Sequence, residues 1–194
     1  MFRFAAPALA GVLGALALAP AAFADLNPPA PDFYTCRDTG TQTICHGHRT
    51  FHEDPVDTDI PCAFRVFDQG DIEQRAVRYY NANDDLVRRV IHETWTNAFW
   101  SNPLTGDTVP YTQRGTFTDV LAVPGDLASA TETLTGENIY TDPVTHKKVL
   151  RSTGRVVYGA DGSVEFSAGQ HWDIDLFVNG DQSVLDDLCA ALAR

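Results

Sequence analysis

The residues best suited to chemistry fall in two stretches. The first is Cys45-His46-Gly47-His48-Arg49-Thr50-Phe51-His52-Glu53-Asp54, a run of imidazoles closing on two carboxylates. Alternate side chains of a strand share a face, so His46, His48 and His52 would point the same way. His46 and His48 could chelate one borderline-soft ion, with Glu53 or Asp54 completing the set. On a straight strand His52 lies about 13 Å beyond His48, so a three-histidine site needs a bend. A disulfide at Cys45 would remove that sulfur as a ligand. The spacing fits no zinc motif, and the simpler expectation is a row of surface histidines with no metal.

The second stretch is Gly169-Gln170-His171-Trp172-Asp173. An imidazole titrates near neutrality, and a carboxylate that orients it makes it a proton shuttle. Glu93, Asp119 and Glu132 are the candidate partners of His171. No serine sits in a Gly-x-Ser-x-Gly elbow, and no phosphate-cradling loop or dinucleotide fingerprint occurs. The sequence therefore asks for no cofactor and gives no catalytic motif.

What must position these groups is an exported, oxidised domain. Arg3 precedes an uncharged Ala/Leu-rich run over 4–18. Ala22-Phe23-Ala24 then offers the small-x-small site of a cleavable signal peptide. The expected layout is signal peptide 1–24, an extended and loosely held Pro-rich leader 25–32, and one domain over 33–194. The chain carries 14 Lys and Arg against 26 Asp and Glu, a net charge of −12; loss of Arg3 takes it to −13. Such acidity disfavours nucleic acid and anionic lipid as partners. No later stretch is apolar enough to span a bilayer. Four cysteines, Cys36, Cys45, Cys62 and Cys189, read as two disulfides in a secreted, extracellular protein. Of the three connectivities, Cys36–Cys45 closes a short loop holding the turn signal Asp38-Thr39-Gly40, and Cys62–Cys189 ties the start of the core to the C-terminal tail.

Runs rich in Val, Thr, Tyr, Phe and Trp alternate with turn signals from Cys62 onward. They predict strands over 63–67, 72–80, 86–100, 108–123, 128–140, 149–158 and 163–173. Asp68-Gln69-Gly70 reads as a turn, and 53–61 as an acidic connector. Short turns and long strands describe an all-β antiparallel meander that forms a barrel or strongly curled sheet. An N-terminal disulfide hairpin over 33–51 and one short C-terminal helix over 181–194 complete the fold class. The helix shows a capping-box-like Ser183 and Asp186, with Val184, Leu185, Leu188, Cys189 and Leu192 on one stripe.

Alternation assigns an inner face carrying Val109, Tyr111, Phe117 and Leu121, then Ala130, Leu134 and Tyr140. On 86–100 it carries Val87, Ile91, Trp95 and Phe99, and on 163–173 Val164, Phe166, Ala168 and Trp172. Gly115, Gly136 and Gly154 fall on the same face, as do Arg89, Glu93, Gln113, Asp119 and Glu132. Glycines within strands let a sheet curl, or leave room for a ligand. An aromatic-walled, partly polar pocket follows, lined by Trp95, Tyr111, Phe117, Tyr140 and Trp172 with Arg89 as a charged contact.

Six short segments carry a likeness: Phe51-His52-Glu53-Asp54, Pro61-Cys62, Asn102-Pro103-Leu104-Thr105-Gly106, Thr153-Gly154-Arg155-Val156-Val157, Ser167-Ala168-Gly169-Gln170-His171, and Asp187-Leu188-Cys189-Ala190-Ala191-Leu192. Through them the chain resembles a family of secreted β-barrel-like proteins of actinobacteria. The meander is also similar to calycin-type ligand carriers and to cyclase and dirigent barrels. The resemblance implies a secreted barrel-like domain with a Cys62–Cys189 bridge, and carries over no activity. The leading expectation is a non-enzymatic barrel binding a small or apolar molecule. An enzyme using His171 or an intrabarrel carboxylate (isomerase, cyclase or hydrolase) comes second. An envelope interaction or metal-handling protein using His46, His48 and His52 comes third.

Overall fold

The computed structural model describes residues 25–194. The expected signal peptide over 1–24 lies outside the described residues. Eight strands follow in chain order: β1 (Tyr34–Asp38), β2 (Thr43–Asp57), β3 (Phe67–Tyr80), β4 (Leu86–Ser101), β5 (Thr108–Leu121), β6 (Ala130–Thr141), β7 (Lys148–Tyr158) and β8 (Val164–His171). Each pairs antiparallel with its sequence neighbours in one sheet, and β1 and β8 are its edges. The all-β meander expected from the sequence is therefore present, as an open or curled sheet.

The hairpin turns are built from Asx side chains. Asn102 Oδ1 accepts the Leu104 N–H at 2.9 Å, and Asp142 Oδ1 accepts the Val144 N–H at 2.8 Å. Each turn then passes through positive φ, at Gly106 (82°) and His146 (57°).

Two separate cores cover the two ends of the inner face. At one end Leu26, Cys45, Tyr80, Leu86 and Leu121 pack together. At the other, Val66, Trp100, Val109, Tyr140 and Leu150 meet Leu176, Leu188 and Leu192 from the C-terminal segment. That segment holds α1 (Trp172–Phe177), a 3-10 turn over Gln182–Leu185, and α2 (Asp186–Leu192). Leu188 and Leu192 are fully buried, as the helical stripe predicts. Both disulfides form as read, Cys36–Cys45 across the β1–β2 hairpin and Cys62–Cys189 between the pre-β3 loop and α2.

Several expectations change. Residues 63–66 are loop rather than strand, and β2 runs on to Asp57, into the expected connector. Gly70 lies inside β3, where a Cβ would sit 2.7 Å from that of Ala98; it serves close strand approach rather than a turn. The leader is not loose. Leu26 is buried, Asn27 exchanges backbone bonds with Asp84 and Leu86, and the Tyr80 hydroxyl donates to Pro28 O at 3.0 Å. The expected Ser183 cap is not made: Asp181 caps the 3-10 turn by accepting the Ser183 N–H at 3.0 Å, and α2 begins after Leu185 with no side-chain cap.

Three irregularities flip the inner face. The β4–β5 register shifts between Trp95 and Ala98, where Asn97 takes φ 51°. Ala98 and Trp100 therefore turn inward and Phe99 outward. A similar break at the start of β4 puts Leu86, not Val87, in the core. A shift between Val157 and Tyr158 does the same to β8, so Ser167, Gly169 and His171 face in while Phe166 and Ala168 face out.

Candidate functional site

Paired residues stand side by side, so the register sorts the inner face into transverse rows. One row runs Arg49, Gln74, Glu93, Gly115, Gly136, Gly154, Gly169 from β2 to β8. Its first half is a polar relay. Arg49 Nε donates to Gln74 Oε1 at 2.8 Å, and Gln74 Nε2 donates to Glu93 Oε1 at 2.7 Å. Its second half has no side chains. A Cβ on Gly136, Gly154 or Gly169 would lie 2.2, 2.1 or 2.0 Å from a carbonyl oxygen of the adjacent strand. The backbones approach one another there as only glycine permits.

Flanking rows make walls over this bare floor. On one side the row is Ile91, Phe117, Leu134, Val156; on the other it is Trp95, Gln113, Asn138, Ser152, His171. The result is a cleft of about 150 Å³, floored by Gly115, Gly136 and Gly154, with Phe117 and Leu134 as its apolar wall and Trp172 at its end.

The polar wall is only partly satisfied. Asn138 Nδ2 donates to Gln113 Oε1 and to the Tyr140 hydroxyl, both at 3.1 Å. Asn138 Oδ1 is buried and has no hydrogen-bond partner among the described residues. Ser152 Oγ donates to Asp173 Oδ1 at 2.9 Å. His171 is buried and its Nε2 lies 3.1 Å from Ala168 O, which can only accept. Nε2 therefore carries the proton.

Trp172 separates this cleft from a second. Trp95, Tyr111, Tyr140 and Trp172 form one aromatic cluster with Trp100: the Trp100–Tyr140 and Tyr111–Tyr140 centroids are 4.5 and 4.8 Å apart. Beyond it an opening of about 310 Å³ is lined by Glu53, Asp68, Trp95, Trp100, Trp172 and Phe177. The Tyr111 hydroxyl donates to Asp68 Oδ1 at 3.0 Å. Burial pushes the Asp68 carboxyl up to about 6, with the Glu53 charge adding to it, and burial also raises the Tyr111 phenol.

The pocket residues expected from sequence thus separate. Trp95, Tyr111, Tyr140 and Trp172 come together, and Phe117 joins Trp172 at the glycine cleft. Arg89 does not; it is ion-paired with the buried Asp119, beside Glu132. Burial, then the Asp119 charge, raises the Glu132 carboxyl, and Arg89 opposes the shift. The row of Ile91, Phe117 and Leu134 walls this cluster off from the glycine floor. Of the four acid/base candidates only His171 lines the cleft; Glu93 ends the Arg49–Gln74 relay. His46, His48 and His52 lie on the outer face, where His48 Nε2 is 3.1 Å from Glu73 and His52 Nδ1 is 2.8 Å from Asp71. Among the described residues no group of three or more His, Cys, Asp or Glu could hold a metal ion.

Sequence reasoning missed Asp68, Asn138, Ser152 and Asp173. Asn138 and Ser152 were legible as inward positions in phase with Tyr140 and Gly154. Asp68 was masked by the turn-like Asp-Gln-Gly. No protein-family model, no curated protein and no solved structure matches the chain.

Proposed function

We propose that the chain is an exported, disulfide-stapled domain that binds a small, largely apolar molecule bearing one hydrogen-bond donor, without transforming it. The observation that carries this reading is the glycine-floored cleft lined by Asn138, whose buried Oδ1 has no partner among the described residues. A buried acceptor left unpaired costs free energy that a ligand donor would recover. A volume of about 150 Å³ matches a single six-membered ring; an engineered cavity of that size in another protein takes up benzene. His171 donates its Nε2–H hydrogen bond to a backbone carbonyl rather than to a second titratable side chain, which favours binding over proton transfer. Export is supported by the apolar run ahead of Ala22-Phe23-Ala24 and by two disulfides with no free cysteine among the described residues.

Phenol and toluene test the reading, having nearly the same shape and differing in the donor. Phenol should bind the wild type more tightly than toluene, followed by NMR shifts of the Asn138 side-chain amide. Gly115→Val should abolish binding with the fold intact, because a Cβ there meets nothing closer than 3.7 Å. Equal binding of the two probes, or phenol binding that survives Gly115→Val, would overturn it.

A further inference from the structure

We propose that the second opening, on the far side of Trp172, is a site for a small organic cation of the quaternary-ammonium class. The inference goes beyond the ligand of the glycine cleft and does not depend on it.

Three independent features converge there. The first is aromatic geometry. Trp100 and Trp172 meet edge to face, 5.7 Å apart at 85°, and Phe177 stands 6.4 Å from Trp172 at the rim. With Trp95 they give a cavity several electron-rich ring surfaces, the usual wall of a methylammonium cage.

The second is uncompensated negative charge. Glu53, Asp57 and Asp68 line the opening, and among the described residues no Lys, Arg or His does. Arg65 neutralises Asp57 from outside the opening. Glu53 and Asp68 take part in no ion pair among the described residues. The partners of Asp68 among the described residues are neutral: the Tyr111 hydroxyl donates to it at 3.0 and 3.2 Å, and the Trp100 indole and the Gln69 backbone N–H also favour its charged form. A half-buried carboxylate set against aromatic rings, with a second carboxylate near it, is stabilised by a cation and by little else.

The third is size and access. The opening measures about 310 Å³ and reaches solvent past Phe177, which is 63% exposed. That admits a trimethylammonium head with a short tail. A bare metal ion would gain nothing from the tryptophans, and a neutral apolar ligand would leave the carboxylates unpaired.

Choline and its neutral carbon isostere 3,3-dimethylbutan-1-ol are the probes. The chain has three tryptophans, and all of them line this opening, so intrinsic fluorescence reads the site directly. Choline should give a saturable change, and the isostere should bind about tenfold more weakly or worse. Asp68→Asn keeps an acceptor for Tyr111 and should weaken choline by about tenfold while leaving the isostere unchanged. Phe177→Ala changes only an exposed rim ring and should also weaken choline, which covers the case that Asp68→Asn folds poorly. Gly115→Val should leave choline binding intact, separating this site from the glycine cleft. Equal affinities for the two probes, or choline binding indifferent to both Asp68→Asn and Phe177→Ala, would overturn the assignment.

Discussion

Replacing Gly136 by alanine and, separately, its cross-strand partner Gly115 by alanine should move stability in opposite directions. At Gly136 the new Cβ would lie 2.2 Å from Arg114 O and 2.7 Å from Gly115 Cα, with φ at 153°. A comfortable carbon–oxygen approach is about 3.3 Å, so β5 and β6 would have to part by about 1 Å locally. Backbone strain of about 1–3 kcal/mol and overpacking of similar size then combine to about 3 kcal/mol or more. In a domain of this length that lowers Tm by about 6–12 °C. At Gly115 the Cβ meets only Leu134 Cδ1, Phe117 Cε2 and Thr135 O, all at 3.7 Å, and φ is not positive. Alanine there removes the unfolded-state entropy of glycine and should raise stability by about 0.5 kcal/mol. Thermal and urea unfolding of both variants at one pH, with disulfides intact, measures the difference. If the two lower stability equally, or Gly136→Ala is neutral, the glycine row is not a close-approach seam and the account of the cleft floor fails.

Two further outcomes concern charge and covalent structure. The Asp68 carboxyl is raised to about 6 in the folded chain, above its ordinary value of 3.8. Its contribution is therefore fully present below pH 3.8 and lost as pH rises through about 6. Glu53, Tyr111 and Tyr140 are its titratable neighbours, and the Asp57–Arg65 pair lies beside it. Relative to Asp68→Asn, the wild type should lose at most about 3 kcal/mol between pH 4 and 7, reduced by the solvent that reaches the carboxyl. Parallel stability profiles in urea titrations would contradict the burial argument. The Cys62–Cys189 bridge spans 127 residues of sequence. By loop-closure entropy, replacing both cysteines with alanine should cost about 5 kcal/mol, against about 3 for the short Cys36–Cys45 loop. Equal losses in the two double variants would show that local packing, rather than loop length, sets their contributions.

Legibility followed the regularity of the alternation. From Thr108 to Tyr140 the inward phase of Val109, Tyr111, Phe117 and Leu134 runs unbroken, and β5 and β6 lie within two residues of their sequence-derived bounds. It failed where one residue is inserted. Asn97 in the left-handed region carries no strong signature, yet it reverses every side chain after it on β4 and brings Trp100 rather than Phe99 into the cleft. At the other end of the sheet the break between Val164 and Phe166 inverted the rest of β8 and hid Gly169, the fourth member of the glycine row. The α1 helix is six residues long, too short to show a period, and it alone sets Trp172 as the wall between the two openings. The aromatic half of the site was thus readable from composition and phase, while its partition into two openings depends on bulges and a single helical turn.

That partition follows from how the sheet is held. Each disulfide fastens one of the two cores: Cys45 is part of the core that the leader closes, and Cys62 and Cys189 pack on the core that α2 closes. Leu86 and Tyr80 at one end, and Leu188 and Val109 at the other, are fully buried. With packing concentrated at the ends, the middle of the inner face does not have to be filled. It can carry Gln74 and Glu93 in a satisfied relay and then a run of glycines that packs nothing. Apolar contact stabilises roughly in proportion to the area it covers, so those central positions contribute little to holding the chain folded. Their cost is tolerable only because the ends supply the stability. A sheet built this way can change the residues around its clefts, Gly115 and Phe177 among them, without loosening the cores that keep the clefts in place.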